Sequence, residues 1–286
     1  MNKTLKGHSL ALLCSIIWGT SLIASKELLG VLSPVQLMFL RFAVAYIVIW
    51  IIHPKWYFKW KDELLFLLAA LFSNTLYFIA ESNALKLTQA TNVGILVAAA
   101  PILTALILCI TGQCGKFPLK RSFGYGLAFL GVICVVLNGA LVLKLNPLGD
   151  MLAIAAALMW SIYSMIINRF KDVSSFLLSR KLMFYGLLTS FPLLLAEGGF
   201  PPLSTVVSIP ELLYLLYLGV VCSAVCYIAW NTAIQCLGVL KTNVYIYIVP
   251  FFTLIASSIF LHETITPMGL AGMAAVIAGM LLSNTE

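Results

Sequence analysis

Apolar runs of about 20 residues recur ten times along the chain, separated by short polar stretches. They fall near residues 7–28, 34–52, 64–84, 89–111, 122–142, 148–169, 178–196, 211–236, 240–261 and 266–283. At 1.5 Å of rise per residue, a helix of about 20 residues matches a hydrocarbon core of about 30 Å. The pattern therefore predicts ten membrane-crossing helices. Punctuation agrees with it. Ser33-Pro34 opens the second run, His53-Pro54 closes it, Asn146-Pro147 precedes the sixth, and Gly198-Gly199-Phe200-Pro201-Pro202 fills the longest outer loop. Lys3 and Lys6 before the first run imitate a secretory leader. That run is long for a leader and more follow it, so it is read as a retained first helix.

Composition sharpens this. The 286 residues are 62% hydrophobic and 9% charged, where a water-soluble domain carries about 25% charge. So little charge cannot cover a globule in water; the solvent implied is lipid. The abundant apolar area excludes disorder, and the ten runs leave no room for a large extramembrane domain.

The formal charge of +7 points to topology rather than to nucleic acid, because the basic residues lie in short loops instead of clustering on a solvated face. With the N-terminus inside, the inner segments hold Lys3, Lys6, Lys55, Lys59, Lys61, Lys116, Lys120, Arg121, Arg169, Lys171, Arg180, Lys181 and Lys241. Only Lys26, Lys86 and Lys144 fall outside, and Arg41 sits within a run. This bias places both termini in the cytoplasm and the chain in the cytoplasmic membrane. The seven cysteines form no C-x-x-C. Cys222 and Cys226 share a helix face at i,i+4, but no histidine accompanies them, so they read as small buried hydrophobes rather than metal ligands. No cofactor is implied.

The second half repeats the first. Pro101-Ile102-Leu103-Thr104 corresponds to Pro250-Phe251-Phe252-Thr253, Gly124 and Gly131 to Gly272 and Gly279, Trp18 to Trp160, and Arg41 to Arg180. The offsets are 149, 148, 142 and 139, in the same order along five helices. Five is odd, so the second copy enters the membrane from the opposite side, an arrangement that recurs in secondary transporters. The fold expected is an all-α integral membrane protein of ten transmembrane helices. Residues 1–142 and 148–286 form two inverted five-helix repeats around a central cavity.

Particular motifs carry a resemblance. Trp18-Gly19-Thr20-Ser21, Lys26, Ser33-Pro34 and Arg41-Phe42 resemble the opening of the drug/metabolite transporter superfamily, in its ten-helix EamA-type branch. Asn83-Ala84-Leu85-Lys86-Leu87-Thr88-Gln89-Ala90 with Pro101, and Leu261-His262-Glu263-Thr264 before the tenth run, are similar to it as well. The resemblance covers nearly the whole chain in two copies. It implies a basket of helices whose cavity is lined mainly by spans 1, 3, 4, 6, 8 and 9, with spans 5 and 10 peripheral. One departure is plain: the family's loop carboxylate is present as Glu263, whereas the first copy reads Gly112-Gln113-Cys114.

Charge within a bilayer is costly and tends to face a bundle interior, which singles out Arg41, Glu81 and Lys26. Arg41 lies about 10 Å from the outer end of its span and Glu81 about 5 Å, so the three are expected to cluster. Glu81 reads as a proton or substrate-amine site and Arg41 as a partner for a substrate carboxylate; a structural ion pair is the alternative. Glu81 has no acidic counterpart, its match being Trp230. Asn74, Tyr77 and Glu81 share one helix face, as do Ser223, Tyr227 and Trp230 or Asn231. Trp18 with Ser21, Trp160 with Tyr163, and Asn243 with Tyr247 extend the set of expected cavity residues; interhelical hydrogen bonds are the alternative for these polar faces, and plain packing for the mid-span aromatics. Pro101 and Pro250 break helical hydrogen bonds at corresponding places and are expected hinges. Gly124-x-x-x-Ala128 and Ala275-x-x-x-Gly279 read as close-packing faces, with dimerisation open beside internal packing.

The function expected is secondary transport of a small amphipathic metabolite, an amino acid or derivative or a drug-like compound, by alternating access and in the export direction. Proton coupling through Glu81 and export needing no titrating residue both stay open. No G-x-x-x-x-G-K-[ST] supplies ATP drive. An intramembrane transferase-type enzyme is the alternative, opposed by the lack of an acidic pair on any one membrane helix and by histidines confined to span ends. The protein is expected to work as a monomer or homodimer.

Overall fold

The computed structural model describes residues 2–87, 90–112, 119–137, 146–260 and 265–284. These residues are overwhelmingly helical and include no strand. In a bilayer this follows from the backbone itself, since each amide must be hydrogen-bonded within its own segment. The first half holds α1 (Lys3–Leu29), α2 (Pro34–Ile52), α3 (Trp60–Ala70), α4 (Tyr77–Leu87), α5 (Ala90–Val97), α6 (Ala100–Ile110) and α7 (Leu119–Leu137). The second holds α8 (Pro147–Ile167), α9 (Ser175–Ala196), α10 (Leu203–Val206), α11 (Ile209–Leu216), α12 (Cys226–Leu237), α13 (Val239–Asn243), α14 (Ile248–Phe260) and α15 (Pro267–Asn284).

Seven continuous helical stretches are long and apolar enough to cross a membrane: Pro34–Ile52, Trp60–Ala84, Val93–Ile110, Leu119–Leu137, Pro147–Ile167, Ile209–Leu237 and Val239–Ala256. They coincide within a few residues with seven of the expected runs. The other three runs are helical too, as α1, α9 and α15. Of these, Pro267–Ser283 in α15 is a shorter apolar helix.

Local chemistry sets several of the ends. Ser33 caps α2 through its Oγ, which accepts from Gln36 N at 3.1 Å, while Gln36 Oε1 accepts from Ser33 N at 3.0 Å. Pro34 fills the first turn, where a missing N–H costs nothing. Asn146 caps α8 in the same way, accepting from Gly149 N at 3.0 Å ahead of Pro147. Gly238 turns the chain between α12 and α13 at φ +82°, a conformation that penalises any residue with a Cβ.

Two stretches depart from the α-helix in a way that apolar periodicity does not reveal. Leu71–Leu76 between α3 and α4, and Tyr217–Val225 between α11 and α12, are π-helical. Such wide turns are uncommon and recur at functional sites. The fourth and ninth runs are broken ahead of their prolines. Two residues separate α5 from α6, which begins one residue before Pro101; a 3₁₀ turn, Val244–Tyr247, separates α13 from α14, which holds Pro250. A proline ring crowds the carbonyl four residues earlier and offers it no N–H, so each break falls where the sequence places it.

Packing runs between the halves. α2 lies antiparallel against α9, with ring contacts Phe39–Phe191, Tyr46–Phe184 and a guanidinium stack of Arg180 on Trp50 along its length. α1 packs on α12 and α14, and α8 on α4, α5 and α6. α7 and α15 form the most extensive helix pair. A Cβ on Gly124 would meet Gly279 O at 2.8 Å, and one on Gly131 would meet Gly272 O at 2.8 Å. These two helices are thus antiparallel with backbones in direct contact. The small-residue faces for which dimerisation was an open role are spent on each other within one chain.

The solvent-facing surface is apolar: Ile51, Ile110, Leu119, Met151 and Leu281 are all exposed. Asn74, Asn231, Asn243, Ser161 and Ser164 are buried instead. Such an inverted distribution is stable when the surrounding medium is hydrocarbon. The protein is a multi-pass membrane protein with a partly polar interior.

Candidate functional site

Aromatic side chains from four helices, α1, α4, α8 and α12, meet near the middle of the bundle. Trp18 of α1 meets Trp160 of α8 edge to face, with ring centroids 5.5 Å apart. Trp230 of α12 stands 5.0 Å from Trp18 and 6.0 Å from Trp160. Tyr227 lies 6.4 Å from both tryptophans, Tyr163 5.1 Å from Trp160, and Tyr77 of α4 5.8 Å from Trp160. Trp18 is fixed by its own indole, which donates to Cys222 O at 3.0 Å. That carbonyl lies in the π-helical segment, where i→i+4 bonding is interrupted and acceptors are left for side chains.

The other two indoles differ. Trp160 Nε1 and Trp230 Nε1 are buried without a hydrogen-bond partner among the described residues. An unsatisfied buried donor costs on the order of 1–3 kcal/mol, and two of them share this cluster. Tyr247 Oη is also buried without a partner, but its ring meets Tyr125 of α7 and not the tryptophan cluster.

The charged pair sits beside this box. Arg41 is 7% exposed, and its Nε donates to Ser223 Oγ at 3.0 Å. Its guanidinium lies 5.0 Å from the Phe78 ring centroid. Its two terminal nitrogens make no hydrogen bond to the described residues. Glu81 accepts from Tyr77 Oη at 2.9 Å. The contact ion pair of Arg41 with Glu81, the alternative to a functional role, is not formed; each is held by a separate neutral group, and Tyr77 and Phe78, themselves edge to face at 5.3 Å, stand on the two sides. The side chain of Lys26 lies outside the described residues, as do His262 and Glu263.

The three asparagines make interhelical hydrogen bonds, one of the two roles open to polar faces in lipid. Asn74 Nδ2 donates to Leu182 O at 2.9 Å, and its Oδ1 accepts from Tyr227 Oη at 3.1 Å. Asn231 accepts from Tyr163 Oη at 2.7 Å and donates to Ser179 Oγ at 3.0 Å. Asn243 donates to Thr104 Oγ1 at 2.8 Å and accepts from Ser164 Oγ at 3.3 Å. Ser21 Oγ bonds back to Trp18 O within its own helix at 2.8 Å. In lipid such interhelical bonds hold packing that apolar contacts alone do not specify. Trp18, Trp160, Tyr163, Tyr227, Trp230, Tyr77, Arg41 and Glu81 are therefore gathered; Asn74 and Asn231 support them from behind, and Asn243 and Tyr247 stand apart.

Two features escaped the sequence. Phe78 under Arg41 reads as one more apolar residue of its run. Lys181 Nζ reaches both oxygens of Glu63, at 2.7 and 2.9 Å, with Tyr185 Oη on the same carboxylate at 2.5 Å. Only the shared end of the bundle was legible for that pair.

Comparison with known proteins agrees with this architecture. The family model described as "EamA-like transporter family" matches residues 5–137 and again 147–285. The chain is 29% identical over 289 aligned residues to an uncharacterized transporter of Archaeoglobus fulgidus, covering 98% of each protein. A shorter match, 35% identical over 69 residues, is to a probable terminal-alkyne amino-acid exporter of Streptantibioticus cattleyicolor, covering 24% of this chain and 23% of that one. A solved crystal structure superposes with a TM-score of 0.80 at 19% identity, over 98% of this chain and 97% of the other, which is a likeness of fold. The chain belongs to the EamA-like transporter family.

Proposed function

We propose that the protein is a secondary transporter that exports a small amphipathic metabolite, an amino acid or a derivative of one, across the cytoplasmic membrane by alternating access. The observation that carries this reading is the central aromatic box with unmet donors. Among the described residues, Trp160 and Trp230 offer buried N–H groups without acceptors, and Arg41, nine-tenths buried, hydrogen-bonds through its Nε. A carboxylate satisfies such donors, Glu81 with Tyr77 suits an amine, and the ring faces suit an apolar body. The amino-acid substrate class is supported by the name of one partial relative as well.

Alternating access follows from the two-fold organisation we infer: ten spans, arranged as inverted five-helix repeats over 1–142 and 148–286, with both termini cytoplasmic. Several relationships support it. The close contacts Gly124–Gly279 and Gly131–Gly272 exchange with each other when the sequence halves are swapped. The same swap relates the α1–α12 packing to that of α8 on α4, and the first π-helical segment to the second. One fold used in both orientations yields two nearly equivalent states opening to opposite sides. Pro101 and Pro250 are the hinges in this reading, and Glu81 is the proton-coupling group.

Flux of labelled amino acids in proteoliposomes containing the full chain tests the assignment. Saturable movement abolished by Trp160→Ala supports it. Chemical turnover of substrate without net movement overturns it in favour of an intramembrane enzyme.

A further inference from the structure

A second site lies at the end of the bundle that carries most of the lysines, away from the aromatic box. The C-terminal turns of α2, the segment 53–59 and the first turns of α9 border a partly open cleft of ≈ 50 Å³. The aromatic rings of Tyr46, Trp50, Trp56, Tyr57 and Phe184 line it together with two cations, Arg180 and Lys181. Arg180 is 4% exposed and lies flat over Trp50, its carbon centre 4.1 Å from the ring centroid. Its guanidinium donates to two backbone carbonyls, His53 O at 3.0 Å and Lys55 O.

Among the described residues no carboxylate pairs with that charge. Glu63 is consumed by Lys181 and Tyr185, and Asp62 accepts from Tyr57 Oη at 2.7 Å. Burial first, then the contact with Asp62, push the Tyr57 phenol up to about 12, so it stays a neutral donor at physiological pH. Residues 53–63 with 180–181 hold five basic side chains (Lys55, Lys59, Lys61, Arg180 and Lys181) against those two carboxylates. A net positive cleft whose buried Arg180 has no carboxylate partner among the described residues calls for an anion.

The surroundings say which anion. Trp56 is 76% exposed, and Phe58 and Trp60 are exposed beside it, an aromatic belt of the kind that marks the headgroup level of a membrane. From the cleft, exposed Ile47 and Ile51 on α2 and Phe184 and Leu188 on α9 continue as an apolar track along the two antiparallel helices. A soluble anion uses none of that track; an acyl chain covers it. Basic pockets between membrane helices are suited to acidic lipid headgroups.

We infer that this cleft binds one anionic phospholipid, its phosphate at Arg180 and among the indole edges of Trp50 and Trp56, its chains along the α2–α9 face. The inference stands on the membrane fold and does not depend on which molecule the aromatic box carries. Binding of lipid to the folded chain alone raises the unfolding midpoint as lipid is added.

The experiment follows the unfolding midpoint of the full chain in a neutral detergent while dioleoylphosphatidylglycerol, dioleoylphosphatidylcholine or glycerol 3-phosphate is titrated in. A concentration-dependent rise with phosphatidylglycerol alone is expected. It is lost in Arg180→Gln and weakened in Trp56→Ala, and it persists in Lys86→Gln, which removes a charge outside the cleft. Should Arg180→Gln fail to fold, Trp56→Ala, altered at an exposed position, decides the matter. An equal rise with phosphatidylcholine, or an undiminished rise in Trp56→Ala, overturns the site. A full rise with glycerol 3-phosphate overturns the lipid and leaves a soluble phosphate in its place.

Discussion

Trp18 and Trp160, the matching tryptophans of the two sequence halves, meet edge to face with planes at 88° and centroids 5.5 Å apart. They are not equivalent. The Trp18 indole is satisfied by Cys222 O, whereas that of Trp160 is buried without an acceptor among the described residues. A pair related by sequence therefore differs in what it can offer a ligand, and Trp160 is the member left with a donor to give.

Two substitutions separate packing from donation at Trp160. Trp160→Ala removes a buried ring and is expected to cost about 3–5 kcal/mol of stability, read as a large fall in unfolding temperature. Trp160→Phe keeps most of the ring packing and loses only the N–H. It is expected to fold, yet to bind a carboxylate-bearing substrate about tenfold more weakly, as the loss of one hydrogen bond of about 1.4 kcal/mol implies. Unchanged affinity in Trp160→Phe, measured by substrate-dependent stabilisation, removes the indole from recognition.

What the chain spelled out and what it withheld have separate physical origins. Hydrophobic run length and proline placement are local properties, and they located the helices and both breaks, at Pro101 and Pro250. The glycines at 124, 131, 272 and 279 announced close approach because only a missing Cβ permits backbone contact. Partner choice is not local. Arg41 and Glu81 lie at similar depth, which suggested an ion pair, but Ser223 and Phe78 reach the guanidinium first. For Asn74 and Asn231 a polar stripe in lipid left cavity lining and interhelical bonding both open; the hydrogen-bond partners on neighbouring helices appear only in three dimensions. The π-helical turns leave apolar periodicity unmarked and so appear only in three dimensions.

Glu81 and Tyr77 form a hydrogen-bonded unit at 2.9 Å beside the box. If that carboxylate carries the coupling proton, Glu81→Gln fixes the site in its neutral form, and transport by the variant is expected to lose its dependence on external and internal pH. Tyr77→Phe, which removes the hydrogen bond and leaves the carboxylate, is expected to shift the profile without abolishing it. Initial rates in vesicles at a series of pH values check both; a wild-type profile in Glu81→Gln removes the proton role.

The α7–α15 contact makes an opposite pair of predictions for two glycines. Gly279→Val drives a side chain into the backbone of Ala128 and toward Gly124 O. Overpacking against backbone that cannot yield is expected to cost at least about 1–3 kcal/mol. Gly126 faces open space on the same helix as Gly124. Gly126→Ala is therefore expected to leave stability unchanged or raise it by about 0.5–1 kcal/mol through helix propensity. Unfolding temperatures of the two variants in one detergent give the comparison.

Glu63 and Lys181 are nearly buried, with 8% and 12% of their side-chain surface exposed. Removing one partner leaves the other charged and unpaired, so Glu63→Gln and Lys181→Met are each expected to destabilise by about 3 kcal/mol. The double change Glu63→Leu with Lys181→Met removes both charges and is expected to regain most of that loss. A double mutant no more stable than the worse single one indicates that Tyr185, whose hydroxyl shares the carboxylate, depends on the charge as much as Lys181 does.

Pro101 closes the set because its effect is on motion rather than on stability. Ala98 N and Ala99 N bond back to Gly94 O and Leu96 O, and regular helix resumes with Leu103 N on Ala99 O. Pro101→Ala restores an N–H and permits a continuous helix across the break. The helix is then expected to straighten and stiffen, slowing interconversion of the two states while substrate affinity in the occupied state is retained. Turnover rate against substrate-dependent stabilisation separates these. A slowed rate with unchanged stabilisation marks a hinge, and equal transport by Pro101→Ala and wild type removes that role.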